Sequence, residues 1–189
     1  MYQKFEKVFE QQRNNIQYVR ESGYLERVST VTEILTRVLK SGNKILIAGN
    51  GGSAADSQHF AAELVGRFLK ERAGIPAIAL TTDTSVLTSI GNDYGYNWVF
   101  SRQIEALGKS GDVFFGISTS GNSENVVQAV QKAKEMEILT VGLLGKSGGT
   151  LKEMCDYDLT VPLDETPRVQ EFHIMTIHMI CEMIEELMF

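Results

Sequence analysis

Residues 45–63 read Ile-Leu-Ile-Ala-Gly-Asn-Gly-Gly-Ser-Ala-Ala-Asp-Ser-Gln-His-Phe-Ala-Ala-Glu, and their reading decides the fold. A short, continuously apolar run ends in a glycine-rich turn, and the turn opens a helix. A strand that is apolar at every position is covered on both faces, as in a parallel sheet between helices. The glycines let backbone approach a ligand closely, and the helix start offers free N–H groups. Four residues separate His59 from Glu63, which puts an imidazole and a carboxylate on one helical face, one turn apart. That pair suits proton transfer or a metal.

On either side the pattern continues. Phe5, Val8, Phe9, Ile16 and Val19, then Leu25, Val28, Val31, Ile34, Leu35, Val38 and Leu39, fall at helical spacing and predict two N-terminal helices broken at Ser22-Gly23. Ser41-Gly42 ends the second, because glycine accepts the left-handed position after a helix. Strand and helix then alternate: strands at Lys44–Ala48, Pro76–Leu80, Asp112–Ile117, Leu139–Leu144 and Asp158–Val161; helices at about Ser53–Lys70, Thr84–Ile90, Trp98–Leu107, Glu124–Met136, Leu151–Met154 and Thr166–Met188. The expected architecture is α/β: a doubly wound parallel sheet with helices on both faces, plus the N-terminal helical pair. All 189 residues read as one domain, with 1–40 as helices suited to self-association and 41–189 as the core.

Composition limits the partners. A net charge of −6 and a pI near 5.1 argue against nucleic acid or an anionic membrane surface. No apolar run approaches the roughly 20 residues that span a bilayer, and no N-terminal basic-then-apolar segment marks a signal peptide. Cys155 and Cys181 are too few for a disulfide framework and lack CxxC spacing, which fits a reducing cytoplasm.

Ligands in open parallel sheets bind beyond the carboxyl ends of the strands, where three polar loops are expected. Gly49-Asn50-Gly51-Gly52-Ser53 is the first. The second is Ser118-Thr119-Ser120-Gly121-Asn122-Ser123, where four hydroxyls and a helix N-terminus suit a phosphate monoester without a fixed cation. The third is Gly91-Asn92-Asp93, whose amide and carboxylate suit sugar hydroxyls. Gly49, Gly51 and Ala54 also fit a dinucleotide fingerprint, but neither Glu71 nor Asp83 is a good ribose-binding acid at a strand end. Such residues also serve as ordinary turn and cap residues.

All three histidines, His59, His173 and His178, fall on expected helices. Gln170 and His178 lie eight residues apart, about 80° around a helix axis, and can face one cleft. His59 and Glu63 with Gln170 and His178 form a possible four-ligand metal site, although glutamine is an uncommon ligand. Carboxylate and imidazole also serve acid–base chemistry without metal, and a buried histidine often only makes a hydrogen bond.

Taken together, Ala48–Glu63, Ile90–Gly95, Gly116–Ser123 and Arg168–His173 continuing to His178 resemble the phosphoheptose isomerases of the sugar isomerase (SIS) domain superfamily. The resemblance covers almost the whole chain. It implies interconversion of sedoheptulose 7-phosphate and D-glycero-D-manno-heptose 7-phosphate, a step toward activated heptose for surface glycans such as lipopolysaccharide. It also implies a homotetramer with sites between subunits, and one zinc ion per subunit. By motif, Ser118, Thr119, Ser120 and Ser123 would hold the phosphate; Asn50, Gly51, Gly52, Ser53, Asn92 and Asp93 would line the sugar. His59, Glu63, Gln170 and His178 would ligate zinc, with Glu63 and Gln170 also touching substrate and Glu63 and His178 moving protons. Two alternatives compete: an isomerase for another phosphosugar, and a non-catalytic binding protein of the DnaA initiator-associating type. The latter pattern lacks the acid and the histidine that Glu63 and His178 supply here.

Overall fold

The apolar runs become five strands in the computed structural model, which describes residues 1–189: β1 (Ile45–Gly49), β2 (Ala77–Ala79), β3 (Val113–Ser118), β4 (Leu139–Gly145) and β5 (Tyr157–Val161). Eight helices accompany them: α1 (Tyr2–Glu21), α2 (Tyr24–Lys40), α3 (Gly52–Val65), α4 (Thr84–Asp93), α5 (Ser101–Leu107), α6 (Glu124–Glu135), α7 (Gly149–Met154) and α8 (Thr166–Met188). All strands pair in parallel, in the order β2-β1-β3-β4-β5. Successive side chains leave opposite faces of a strand. Ile45, Ile47, Phe115 and Leu143 therefore enter a core shared with α2, α3 and α8, while Leu46, Ala48, Phe114 and Leu144 enter another beneath α5, α6 and α7. Phe60 of α3 packs edge-on against Phe115 with ring centroids 5.2 Å apart, an arrangement that suits the quadrupoles of both rings.

The chain leaves β1 toward β2 on one side of the sheet and returns to β3 on the other. Loops after β1 and β3 consequently diverge and open a crevice at the reversal of strand order, where such sheets hold ligands. Gly49, the last residue of β1, pairs in register with Ile117 of β3. The two polar loops that follow are thus neighbours.

Three expected boundaries move. The helix drawn to Lys70 stops at Val65, although apolar spacing continues through Phe68 and Leu69. Arg72 donates to the carbonyls of Glu63 (2.7 Å), Leu64 (2.7 Å) and Gly66 (2.9 Å), satisfying acceptors at the helix end that a further turn would otherwise have taken. Gly91-Asn92-Asp93 is no loop. It is the last turn of α4, a helix capped by Asp83, which accepts from Val86 N–H. The expected Trp98–Leu107 helix divides into a 3-10 turn at Tyr96–Trp98 and α5 from Ser101.

α1 and α2 meet at Gly23, whose φ of 72° is the left-handed conformation that glycine tolerates best. Of α1 only Val19 is buried, while Phe5, Phe9, Ile16 and Tyr18 are exposed. No helix is long and apolar enough to cross a membrane.

Candidate functional site

The glycine-rich turn is shaped by both conformation and space. Gly51 has φ 58°, where a side chain is strained. At Gly49 a β-carbon would lie 2.7 Å from Ser53 and 2.9 Å from the Ile117 carbonyl, and at Gly52 it would run into the Gln170 amide. This last contact brings α8 against the start of α3. The Asn50 and Asn125 amides bond reciprocally at 2.8 and 2.9 Å, and the Tyr96 hydroxyl donates to Asn50 at 3.1 Å. Neither Asn125 nor Tyr96 stands out in the sequence; only the fold reveals them as braces of this turn.

The serine loop closes on itself. Ser118 Oγ lies 2.9 Å from Ser123 Oγ and 3.5 Å from Ser120 Oγ, and it accepts from Gly121 N–H at 3.1 Å. Gly121, at φ 68°, sits against the Gly148 carbonyl where no β-carbon fits. Asn122 accepts from the Thr150 N–H at 2.9 Å, so α7 supports the loop from behind. Ser123 is the N-cap of α6, and its side chain makes no capping bond. Its hydroxyl therefore remains available at the positive end of the helix dipole.

Above the turn, the His59 and Glu63 side chains meet at 3.0 Å. The Nε2 atom of His178 lies 3.1 Å from that of His59, and the Phe68 ring rests 5.6 Å from the His178 ring. The three ligand-type atoms lie within 4.8 Å of one another. Such a cluster of nitrogen and oxygen donors could hold a metal ion. Tetrahedral zinc with nitrogen at about 2.0–2.1 Å would hold two imidazole nitrogens roughly 3.3 Å apart, close to the separation found, so this donor set fits zinc. Gln170 and His59 line one open cavity of about 530 Å³ together with Gly52 and Asp56. Asp56, half-buried, was not singled out by spacing; burial raises its carboxyl pKa and His59 opposes that shift.

His173 is placed elsewhere. It is fully buried, with Nε2 3.0 Å from the Leu144 carbonyl and Nδ1 without a partner. Burial drives its pKa down to about 4, against the raising effect of the Leu144 bond. It is a neutral core histidine. Asn92 and Asp93 are exposed at the end of α4, bonded to each other at 2.8 Å, and neither lines the cavity of His59 and Gln170.

Comparison with known proteins identifies the family. A family model described as "SIS domain" matches residues 5–145. The phosphoheptose isomerase of Clostridium acetobutylicum is 56% identical over 171 residues, spanning 90% of this chain and 87% of that protein. Phosphoheptose isomerase 1 of Campylobacter jejuni is 59% identical over 160 residues, spanning 85% and 86%. Among solved structures, the phosphoheptose isomerase of Neisseria gonorrhoeae superposes with a TM-score of 0.92 at 44% identity, covering 98% of each chain. That of Francisella tularensis gives 0.94 at 34% identity, also covering 98% of each.

Proposed function

The chain belongs to the SIS domain family and, within it, to the phosphoheptose isomerases, and on that premise we propose a mechanism in which Glu63 and His178 carry the protons. The enzyme interconverts sedoheptulose 7-phosphate and D-glycero-D-manno-heptose 7-phosphate in heptose biosynthesis. The observation that carries the mechanism is the convergence of His59, Glu63 and His178 beside the crevice between β1 and β3.

Ketose-to-aldose isomerisation moves one proton from C1 to C2 and another from the C1 oxygen to the C2 oxygen, through an enediol. Glu63 takes the proton from C1 and returns it to C2, so one carboxylate serves both half-reactions. His178 moves the oxygen-bound proton, since an imidazole can both give and take one. Ser118, Thr119, Ser120 and Ser123 hold the phosphate with hydroxyls and the α6 N-terminus. The glycine turn (Asn50, Gly51, Gly52, Ser53) and Gln170 line the sugar; Asn92 and Asp93, outside this cavity in the single chain, would join it only across a subunit contact.

We propose zinc on His59, Glu63, Gln170 and His178, one ion per subunit. When bound, zinc supplies polarisation of the sugar carbonyl. A carboxylate has two oxygens, so Glu63 can offer one as ligand and keep the other for the carbon proton. The exposed apolar residues of α1, and an apolar groove between α2 and α8 lined by Leu25, Val28, Met179, Met183 and Leu187, support assembly of the single domain 1–189 into a homotetramer. Such an assembly would bring exposed residues such as Asn92 and Asp93 to a site shared with a second copy. Two free cysteines favour a cytoplasmic location.

The deciding experiment measures bound metal on the purified protein and follows sedoheptulose 7-phosphate conversion before and after chelation, alongside Glu63→Gln and His178→Gln. Parental turnover in either variant overturns the assignment.

A further inference from the structure

Eleven residues, 66–76, join α3 to β2 in no regular structure, yet a buried side-chain pair ties them down. Glu185, near the end of α8, accepts from three successive backbone N–H groups: Phe68 (2.9 Å), Leu69 (2.8 Å) and Lys70 (2.8 Å). Its fourth partner is the Arg72 Nε at 2.9 Å, and both side chains are only 1% exposed. Burial alone would raise the Glu185 pKa. The three N–H groups and the Arg72 charge outweigh it and hold the carboxyl below its ordinary range. Arg72 in turn caps the end of α3, with Nη2 on the Glu63 carbonyl at 2.7 Å and Nη1 on the Leu64 carbonyl at 2.7 Å.

The two ends of this pair therefore reach the two residues assigned to proton transfer. Arg72 bonds the backbone of Glu63 directly. Glu185 lies seven residues from His178 on the same helix, two turns along the same face, and fixes Phe68, whose ring rests on His178. A buried ion pair is weak evidence for stability, because well-packed apolar residues often replace one at little cost. Its bonds here go instead to the backbone on which the reacting groups stand.

We propose that Arg72 and Glu185 are positioning residues, a single buried clamp that fixes Glu63 and His178 relative to each other across the α3–α8 contact. This rests on the reading of Glu63 and His178 as the proton-transfer pair. Neither clamp residue touches substrate; the clamp acts on kcat by holding reacting groups where a displacement of about 1 Å costs on the order of 10²-fold.

The test measures kcat, KM and thermal midpoint for Arg72→Lys, for the apolar double variant Arg72→Met with Glu185→Leu, and for Glu63→Gln as control. Arg72→Lys keeps the charge but loses the fork that grips the Glu63, Leu64 and Gly66 carbonyls. It is expected to lower kcat roughly 10–10²-fold with KM within about twofold. In a Glu63→Asp background the same substitution should cost less than about threefold, since both changes displace one carboxylate and their effects do not multiply. The double variant, if folded, should show the same kcat-confined loss. A folded clamp variant with kcat within about threefold of the parent overturns the proposal. So does a loss confined to KM, or a full multiplicative effect in the Glu63→Asp background. If every clamp variant unfolds, the pair is a folding element and the proposal also fails. Parental turnover in Glu63→Gln would sink the Glu63 assignment itself. A dead Glu63→Gln beside fast clamp variants would sink only the clamp.

Discussion

The two faces of α8 carry one histidine each, five residues apart in sequence and about 140° apart around the helix, and their surroundings give them opposite roles. His173 points into the core beside Phe172 and Ile177, bonded to a β4 carbonyl and held neutral by burial. His178 points toward α3, half-buried, with its Nε2 against that of His59 and Glu63 close by. One residue type on one helix is packing on one side and, in the proposed mechanism, chemistry on the other. What separates them is solvent access and the lone pairs they face, not their local sequence.

The sharpest way to break that contrast is to exchange the two losses. His178→Gln and Glu63→Gln should each remove a proton-transfer group at a partly exposed position. We expect turnover to fall by about 10²–10⁴-fold with the thermal midpoint nearly unchanged. His173→Gln should do the reverse, keeping turnover per folded molecule while lowering stability. Steady-state kinetics beside thermal melts read both. A His173 variant that folds and loses turnover as severely as His178→Gln would erase the distinction between the faces.

Acid tests the inner face. The folded-state pKa of His173 is depressed to about 4, against about 6.5 when unfolded. Between those values the unfolded chain binds the extra proton and the folded chain does not. This contribution is therefore intact above about pH 6.5 and is lost as pH falls toward 4, by about 3 kcal/mol in all. Denaturant unfolding at pH 7 and at pH 4.5 should show a smaller drop in His173→Gln than in the parent. An equal drop would mean that His173 is accessible enough to be protonated in the folded state.

Metal reads the outer face. Zinc at about 100 times its dissociation constant should stabilise the parent by about 2–3 kcal/mol, a rise in midpoint of roughly 5–10 °C for a chain of this size. His173→Gln should keep that rise and His178→Gln should lose most of it. Thermal melts with zinc and with chelator check this independently of turnover.

Much of this layout was legible in the sequence, and the failures have definite causes. Apolar runs located four strands because both faces of the sheet are covered, the alternation of elements placed the more polar fifth, and His59 with Glu63 were visible because their pairing is one helical turn. The end of α3 was not visible. Leu64, Val65, Phe68 and Leu69 keep an apolar spacing, and the helix stops through Arg72 and Glu185, residues 113 positions apart. Gly91-Asn92-Asp93 has the composition of a turn, yet Asp83 caps the helix and the Tyr94 N–H closes its last turn on the Ile90 carbonyl. Asn125 and Tyr96 carried no signal, since each is a common residue whose role depends on Asn50 arriving from another strand end. Spacing already set His178 with Gln170 opposite His59 and Glu63 as one possibility, and α3–α8 packing is what brings His178 rather than His173 to His59.

The smallest expected effect lies at the serine loop, and it sharpens the contrast by separating grip from chemistry. Ser123 sits at the start of α6 with no capping bond of its own and with Ser118 Oγ at 2.9 Å. In the proposed site its hydroxyl would bind phosphate to the same extent in ground state and transition state, because the phosphate is remote from the carbons that exchange a proton. Loss of such uniform binding raises KM and leaves kcat alone. Removing one of several hydroxyl donors should cost about 1–1.5 kcal/mol, so Ser123→Ala is expected to raise KM for sedoheptulose 7-phosphate roughly tenfold. The inhibition constant of inorganic phosphate should weaken in parallel, as both ligands would use the same donors. A fall in kcat with KM unchanged would instead place Ser123 among the groups that act on the reacting carbons, and the division between an uncharged rim and an imidazole–carboxylate centre would not hold.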